Sequence, residues 1–551
     1  MVDRTGAALN SDMEAAMYVA SQTILSRFSW AAPAAMLRAG CVALFVCVSG
    51  CGGGAGGAAP QSSVPTPVPA PAPNPTPAPI PAPDTASPPP APLVVGTAQS
   101  IDSGASGTPL NLRVARSANG DGFAVWRSNN GTIVPGGGSR HDLWGNRYSA
   151  VMAAWGSPIK LRAGGADRVI PDFDLAVDDS GNATVAWTEF FENLPGRVVM
   201  SKRFDTGAGA WGAPVLLNAN GGGARLASDA SGALLAVYDV AVGVPNIDLV
   251  GRVRGRFFDP VSGNWQPEAA IDRNVGSNGG PIASLDGSGN ALTVFNGSGG
   301  TRSNYYSLNV GIWGQLASGE TVPDMEIPGT RGLRTDSLQL TALTVGNFLL
   351  AWDYDPAPAF HPDDPINEIR IARFTSHTGT WSPAQTLVPA GQNPPNLNHL
   401  QRMGSDAAGN AMVLLTQLEG DRFAVLKAIR LDHTGAACSG LEKIDRAIGG
   451  VAVEADLAVD PQGNAIAIWR QFEDHNRPAE GSRSNIAINR FDAATGTWAS
   501  AVLAETEPGN AISPRASAGG GGQALLGWIQ AEGGANRVKA LLQPLTNTLG
   551  Q

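Results

Sequence analysis

From residue 93 onward, apolar residues come in short clusters set between turn formers, and one cluster recurs. Asp178-Asp179-Ser180-Gly181-Asn182 leads into Ala183-Thr184-Val185-Ala186-Trp187, a tight turn entering a strand. The same succession ends at Trp126, Tyr238, Phe295, Trp352, Leu415, Trp469 and Trp528, eight copies spaced 51 to 63 residues apart. A repeat of this period points to a propeller or a solenoid array. The turn chemistry is explicit: an Asp such as Asp178, Asp286 or Asp460 can accept backbone amides, and Gly181, Gly289 or Gly463 supplies positive φ. The strand after the turn is apolar at consecutive positions, as in Ile466-Ala467-Ile468-Trp469, so both of its faces must be covered.

A second hairpin follows in each period. Its clearest copies are RFDTGAGAWGAPVLL (203–217), RFTSHTGTWSPAQTL (373–387) and RFDAATGTWASAVLA (490–504). Strands A and B flank the first turn, C and D the second, and four short strands per period match a propeller blade. Leu93–Ala98 resembles a D strand without its blade, while the last repeat stops after strand C (Arg537–Leu542). The expected fold is therefore all-β: an eight-bladed β-propeller over 93–551, closed by a blade built from both termini, which removes exposed edges. An open array of sandwiches is the structural alternative. In the meander the B–C and D–A connections emerge on one side, and the longest are 127–146, 353–369 and 470–484. Variable loops on a rigid scaffold carry recognition, so binding is expected on that face.

Composition narrows the classes. Glycine (69) and proline (41) are plentiful, charged residues make up 15%, and the net charge is −10. An acidic chain without a basic run is unsuited to neutralising phosphates, which excludes nucleic acid as a partner. Three of the four cysteines, Cys41, Cys47 and Cys51, crowd one apolar segment, and only Cys438 lies in the repeats. No Cys/His spacing suggests zinc. Cys438 stands near a position where other repeats carry Trp, which predicts a buried small apolar residue.

Residues 1–50 read as a signal region, with 1–35 lacking structural pattern and Met17 or Met36 as alternative starts. Met36-Leu37-Arg38 provides a positive beginning and CVALFVCV (41–48) an apolar core too short to span a bilayer. Residues 51–92 are Gly/Ala and then proline-rich, with 15 prolines between 60 and 92. Proline fixes φ and removes donors, so this linker is expected as an extended polyproline II stalk.

Val48-Ser49-Gly50-Cys51 resembles the lipobox of bacterial lipoproteins, which implies lipidation at Cys51; an ordinary secretory signal is the alternative. Gly52 resembles the outer-membrane sorting preference, implying an exported protein held to the outer membrane through its lipid alone. The paired GNAxAVW and RYxxxTGxW hairpins resemble a widespread group of bacterial exported propellers. The C–D turn is distantly similar to the Asp-box of sialidases, although Asp492 to Gly496 is stretched. An eight-bladed lipoprotein also resembles the propeller subunit of the outer-membrane barrel-assembly machinery.

Arg147, Arg203, Arg256, Arg373, Arg430 and Arg490 occupy one position of strand C. Side chains repeated there point radially and cannot converge, so they are expected to be structural. The loop holding His361, Asp363 and Asp364, with Asp353 and Glu368 beside it, is the densest cluster of oxygen ligands, and calcium is the cation it would suit. Its spacing lacks the Asp-x-Asp-x-Asp-Gly pattern, so no resident metal or cofactor is expected. Arg470, Glu473 and His475 form a second polar loop, Glu189 sits similarly after Trp187, and Trp144 falls outside both repeating tryptophan sets. Two carboxylates on different blades can serve as a glycosidase pair when they face each other. No nucleophile elbow, HExxH or phosphate loop is present. The sequence thus favours a monomeric binding or scaffolding module for a protein or polysaccharide. A polysaccharide-acting hydrolase or lyase, and an accessory subunit of an envelope assembly machine, are the alternatives.

Overall fold

Each period becomes one antiparallel sheet with strand order A-B-C-D. In the computed structural model residues 93–546 are described except for short loop segments, the longest being 134–138, 316–320, 331–337, 356–366 and 474–481. Cys51, the leader and the proline-rich stretch lie outside the described residues. Blade 1 has A at Thr108–Arg116, B at Gly122–Ile133 and C at Ser139–Ser149, with D split into Ala154–Trp155 and Ile159–Arg162. Strand A of blades 2 to 8 is Phe173–Val177, Gly221–Ser228, Gly279–Leu285, Leu338–Thr344, Asn398–Ser405, Val451–Val459 and Ala511–Ala518. The A strands of neighbouring blades touch all the way round, including blade 8 against blade 1. The fold is an eight-bladed β-propeller.

Closure uses both ends of the repeat region. Gln99–Ser100 pairs antiparallel with strand C of blade 8 (Ala535–Pro544), Gln99 opposite Ala540 and Ser100 opposite Lys539. The ladder starts just beyond the expected Leu93–Ala98 because D strands here are split, and a side chain bridges the first piece. Gln543 Nε2 donates to the Val94 carbonyl at 2.8 Å, and Gly96 N donates to Gln543 Oε1 at 3.1 Å. A Cβ on Gly96 would stand 2.7 Å from Leu541 Cδ1, so a larger residue would have to displace that methyl. Asp102, its side chain fully buried, then locks the junction. Arg537 Nε lies 3.0 Å from both carboxylate oxygens, and Val538 N donates at 3.2 Å.

The turns work as their residues dictate. Asp178 Oδ1 accepts Asn182 N at 2.8 Å, and the Asn182 amide donates back to Asp178 Oδ2; Asp286–Asn290, Asp406–Asn410 and Asp460–Asn464 repeat this. Between blades, Trp126, Trp187, Trp352, Trp469 and Trp528 are fully buried. Each such ring removes enough apolar surface to contribute roughly 1.5–3 kcal/mol. A buried indole N–H still needs an acceptor, and in three of these the residue two places on provides it. Trp187 donates to Glu189, Trp469 to Gln471 and Trp528 to Gln530.

The strand C arginines do tie blade to blade. Arg147 lies over Phe204 of the next blade at 5.0 Å, Arg203 over Phe258 at 4.5 Å and Arg430 over Phe491 at 4.8 Å. Cys438, in contrast, is exposed rather than buried. The cross-strand partner of Leu431 is Ala437, as Trp211 is the partner of Phe204. The tryptophan position in blade 6 therefore belongs to Ala437, and Cys438 follows it into solvent.

Candidate functional site

Strand A is the inner edge of every blade, so side chains at one level of the eight A strands surround the axis. One level is set by the residue paired with the position just before the B-strand landmark. Going round the ring it carries Arg113, Asp174, Arg225, Ile282, Gln339, Arg402, Asp456 and Arg515. Their electrostatics place them together. Arg113 is held well below the usual arginine range, to about 10, first by burial and then by the charge of Arg515, with Arg225 and Arg402 acting the same way and Asp174 opposing. A side chain in blade 1 that feels blades 2, 3, 6 and 8 at once must point at the axis.

The backbone is shaped for this. In blades 1, 3, 4, 6, 7 and 8 strand A carries a bulge one to three residues before the ring residue, and in all of these but blade 6 it contains a left-handed residue. These left-handed residues are Asn111, Gly223, Gly280, Glu454 and Ser513. An extra residue in one strand sharpens its twist and re-aims the following side chain. Left-handed Asn, Glu and Ser cost about 1–3 kcal/mol each, and such strain collects at functional positions. The preceding blade holds the bulges: Thr188 Oγ1 accepts Gly223 N, Asp239 Oδ1 accepts Gly280 N, and Glu454 Oε2 accepts Ser513 N.

The ring's charges are unequally matched. Arg402 Nε meets Asp456 at 2.9 Å, but Arg113 stands 3.7 Å from Asp174 and Arg225 3.6 Å from Asp172. Among the described residues Arg515 reaches only carbonyls, Leu112 O at 3.0 Å and Pro514 O at 2.7 Å. Asp174 and Asp456 each accept a backbone N–H of the next blade, Leu226 N at 3.0 Å and Ala516 N at 3.1 Å. The arginine side is thus under-neutralised where blade 8 meets blade 1, whereas Ile282 and Gln339 leave blades 4 and 5 uncharged.

The residues singled out in the sequence fall elsewhere. Glu189 is buried and holds Arg162 at 2.6 and 3.0 Å as well as the Trp187 indole. Asp353 is buried between blades 5 and 6, accepting Leu400 N at 2.8 Å and meeting His399 Nδ1 at 2.6 Å. Glu368 pairs with Arg370 at 3.0 Å, and that guanidinium lies over Tyr354. Arg470 pairs with Glu454 at 3.2 Å, while Glu473 faces Arg483 and accepts the Asn485 amide. Trp144 sits within strand C of blade 1 opposite Trp126, half-buried, with Lys160 Nζ 5.1 Å over its ring. His361, Asp363, Asp364 and His475 lie outside the described residues. No group of three or more metal-ligating side chains occurs among the described residues.

The ring left a sequence signal. Asp174-Leu175-Ala176, Arg225-Leu226-Ala227 and Asp456-Leu457-Ala458 share one frame, a charge followed by two apolar residues shortly before the turn Asp. Nothing in that frame says that these charges share an axis; only closure does.

No family model matches the chain, and no curated protein matches it in sequence. Several solved structures are similar to it. The polysaccharide lyase Uly1 is 8% identical with a TM-score of 0.44, covering 81% of this chain and 91% of its own. The Dos1 propeller is 11% identical with a TM-score of 0.43 (83% and 96%). The NanB sialidase from Streptococcus pneumoniae is 10% identical with a TM-score of 0.35 (69% and 67%). Each likeness concerns the fold alone.

Proposed function

We propose that this chain is a binding module, exported and lipid-anchored through Cys51, that receives an acidic glycan at its long-loop face and seats a carboxylate in the axial bore. The observation that carries the reading is the convergence of Arg113, Arg225, Arg402 and Arg515, with Arg515 holding only carbonyls among the described residues. A guanidinium presents a planar fork of donors matched to a carboxylate, and burial strengthens that bond. Asp172, Asp174 and Asp456 in the same bore favour a sugar acid over an acidic peptide. A uronate offers hydroxyl donors to those carboxylates beside its own anionic group, whereas a peptide of Asp and Glu brings mainly acceptors. Binding rather than cleavage is supported by Glu189, Asp353, Glu368 and Glu473, whose carboxylates hold neighbouring side chains and backbone.

A glycan array probed with the purified protein tests this. Uronate-bearing polysaccharides are expected to be retained and neutral ones not, with retention weakening as salt rises and in Arg113→Gln and Arg515→Gln. Equal retention of neutral glycans, or unchanged binding by both variants, would overturn it. Loss of radiolabelled palmitate incorporation in Cys51→Ser checks the anchor.

A further inference from the structure

Six blades close their outer seam with an aromatic pair, the strand C ring against the tryptophan of the C–D hairpin. These are Tyr148–Trp155, Phe204–Trp211, Phe258–Trp265, Tyr306–Trp313, Phe374–Trp381 and Phe491–Trp498, with centroids 5.4 to 5.8 Å apart. The tryptophan also reaches the blade before it: Trp211 meets Phe123 of blade 1 edge-on, and Trp381 Nε1 donates to Ser303 of blade 4. Blade 6 lacks both members. Leu431 stands for the ring and Ala437 for the indole.

The seam there is closed only in part: the blade 6 turn at Gly435 lies against Leu349, and a cleft remains beside it. A cleft of about 290 Å³ lies against blade 5, lined by Arg373, Thr375, Trp381, Ser382 and Gln385 over buried Leu349 and Ile371, and bounded by Thr434 and Gly435 of blade 6. By register, Leu349 and Arg373 occupy the places of Phe123 and Arg147 in blade 1, the surface that receives Trp211. Arg147, Arg203 and Arg430 each lie over an aromatic ring of the following blade. Arg373 has Leu431 there instead, and its Nη2 is tied to Asn347 at 2.8 Å, holding the guanidinium in place at the cleft.

We infer that this seam cleft is a docking slot for a tryptophan side chain of a partner polypeptide, entering as the chain's own hairpin tryptophan does in six other blades. The shape of the occupant is written into the repeat: an indole from a turn, stacked on Arg373 beside Trp381. A polypeptide is favoured over a free aromatic molecule because a hairpin already delivers the ring to each equivalent seam from outside, through the tip of a turn. This slot lies on the outer wall and is independent of the axial arginines.

The test uses the full chain, with indole and a short turn-forming peptide carrying one tryptophan as probes, read by ligand-observed NMR and isothermal titration. Both probes are expected to bind, the peptide at least tenfold more tightly. Ala437→Trp, which supplies the missing ring from within, should abolish both while raising the thermal midpoint. Ala437→Ser, which fills nothing, should leave both unchanged. Indole binding that survives Ala437→Trp when that variant has a raised midpoint would overturn the slot, as would no binding of either probe at millimolar concentration. Indole binding as tightly as the peptide would overturn the polypeptide partner. Glycan binding is expected to be the same in Ala437→Trp, so failure here is distinguishable from failure of the axial reading.

Discussion

Replacing Arg113 by Gln should leave the empty propeller as stable as before, or more so, while weakening its hold on an acidic glycan. The charge on Arg113 is disfavoured in the fold, first by burial and then by Arg515, which brings its guanidinium to about 10. A fall of roughly two and a half decades corresponds to about 3 kcal/mol, at about 1.36 kcal/mol per decade. Because 35% of the side chain meets solvent, screening reduces this to about 1–2 kcal/mol. Against it stands the hydrogen bond from Arg113 to the Leu112 carbonyl at 3.2 Å, worth about 1 kcal/mol. The balance is a gain between zero and about 1 kcal/mol, unusual for removing an arginine that has a carboxylate neighbour. Binding moves the other way, since a charge-assisted hydrogen bond is worth about 1.5–3 kcal/mol, a loss of roughly 10- to 150-fold. Urea unfolding at low ionic strength measures the first effect and titration with a uronate oligosaccharide the second. Raising salt should reduce the stability gain without abolishing it, because it screens the repulsion but leaves the cost of burial. A variant destabilised by 1 kcal/mol or more at low salt would refute the convergence of these arginines.

Three further outcomes follow from other contacts. Asp102→Asn leaves Arg537 without its buried carboxylate and should cost about 3 kcal/mol, the low end for a broken buried pair because Arg537 is 28% exposed; urea unfolding and accelerated proteolysis near Gln99 report it. Glu189→Gln keeps an acceptor for the Trp187 indole, as Gln471 and Gln530 do in their blades, so a loss of about 1–2 kcal/mol through Arg162 with unchanged glycan binding is expected; lost binding would return Glu189 to the site. Asp239 is raised to about 6, chiefly by burial and against the Gly280 amide. A raised acid stabilises the fold fully below its unfolded value near 4 and loses that contribution as pH climbs through 6. Asp239→Asn should therefore raise the urea midpoint at pH 7.5 and leave it unchanged at pH 3.5.

Much of this architecture could be read before any coordinates. Asp178 and Gly181 announced their turn, the apolar run 466–469 announced a strand covered on both faces, and the unmatched D-like segment before residue 99 announced the closing blade. Each is a local pattern repeated often enough to be recognised. Reading failed where a residue's meaning depends on a neighbour far away in sequence. Trp144 looked like a loop residue because strands B and C of blade 1 run to Ile133 and from Ser139, longer than in most blades and matched only by blade 3 among the described strands. Glu189 looked available because nothing local shows that Arg162, on the adjoining strands of blade 1, would neutralise it. Cys438 looked buried because blade 6 has lost the tryptophan that marks the register, and that position belongs to Ala437.

The rule that a side chain repeated in every blade cannot converge holds only at a distance from the axis. At strand C, equivalent arginines are separated by whole blades, and each finds the aromatic ring of its neighbour before it finds another arginine. At strand A the same symmetry brings equivalent positions to their nearest approach, and a repeated charge there meets its own copies. A ring of eight arginines would repel itself apart, and a ring of eight apolar residues would plug the bore. This chain does neither: four arginines, two aspartates, one glutamine and one isoleucine share the level, with the least neutralised pair beside the seam that Gln99 and Ser100 close. The symmetry broken at this level is broken in charge, while the B-strand landmarks that support it stay almost uniformly aromatic. A scaffold that keeps its wedges alike and varies only what faces the axis concentrates its chemical individuality where a ligand can touch all of it at once.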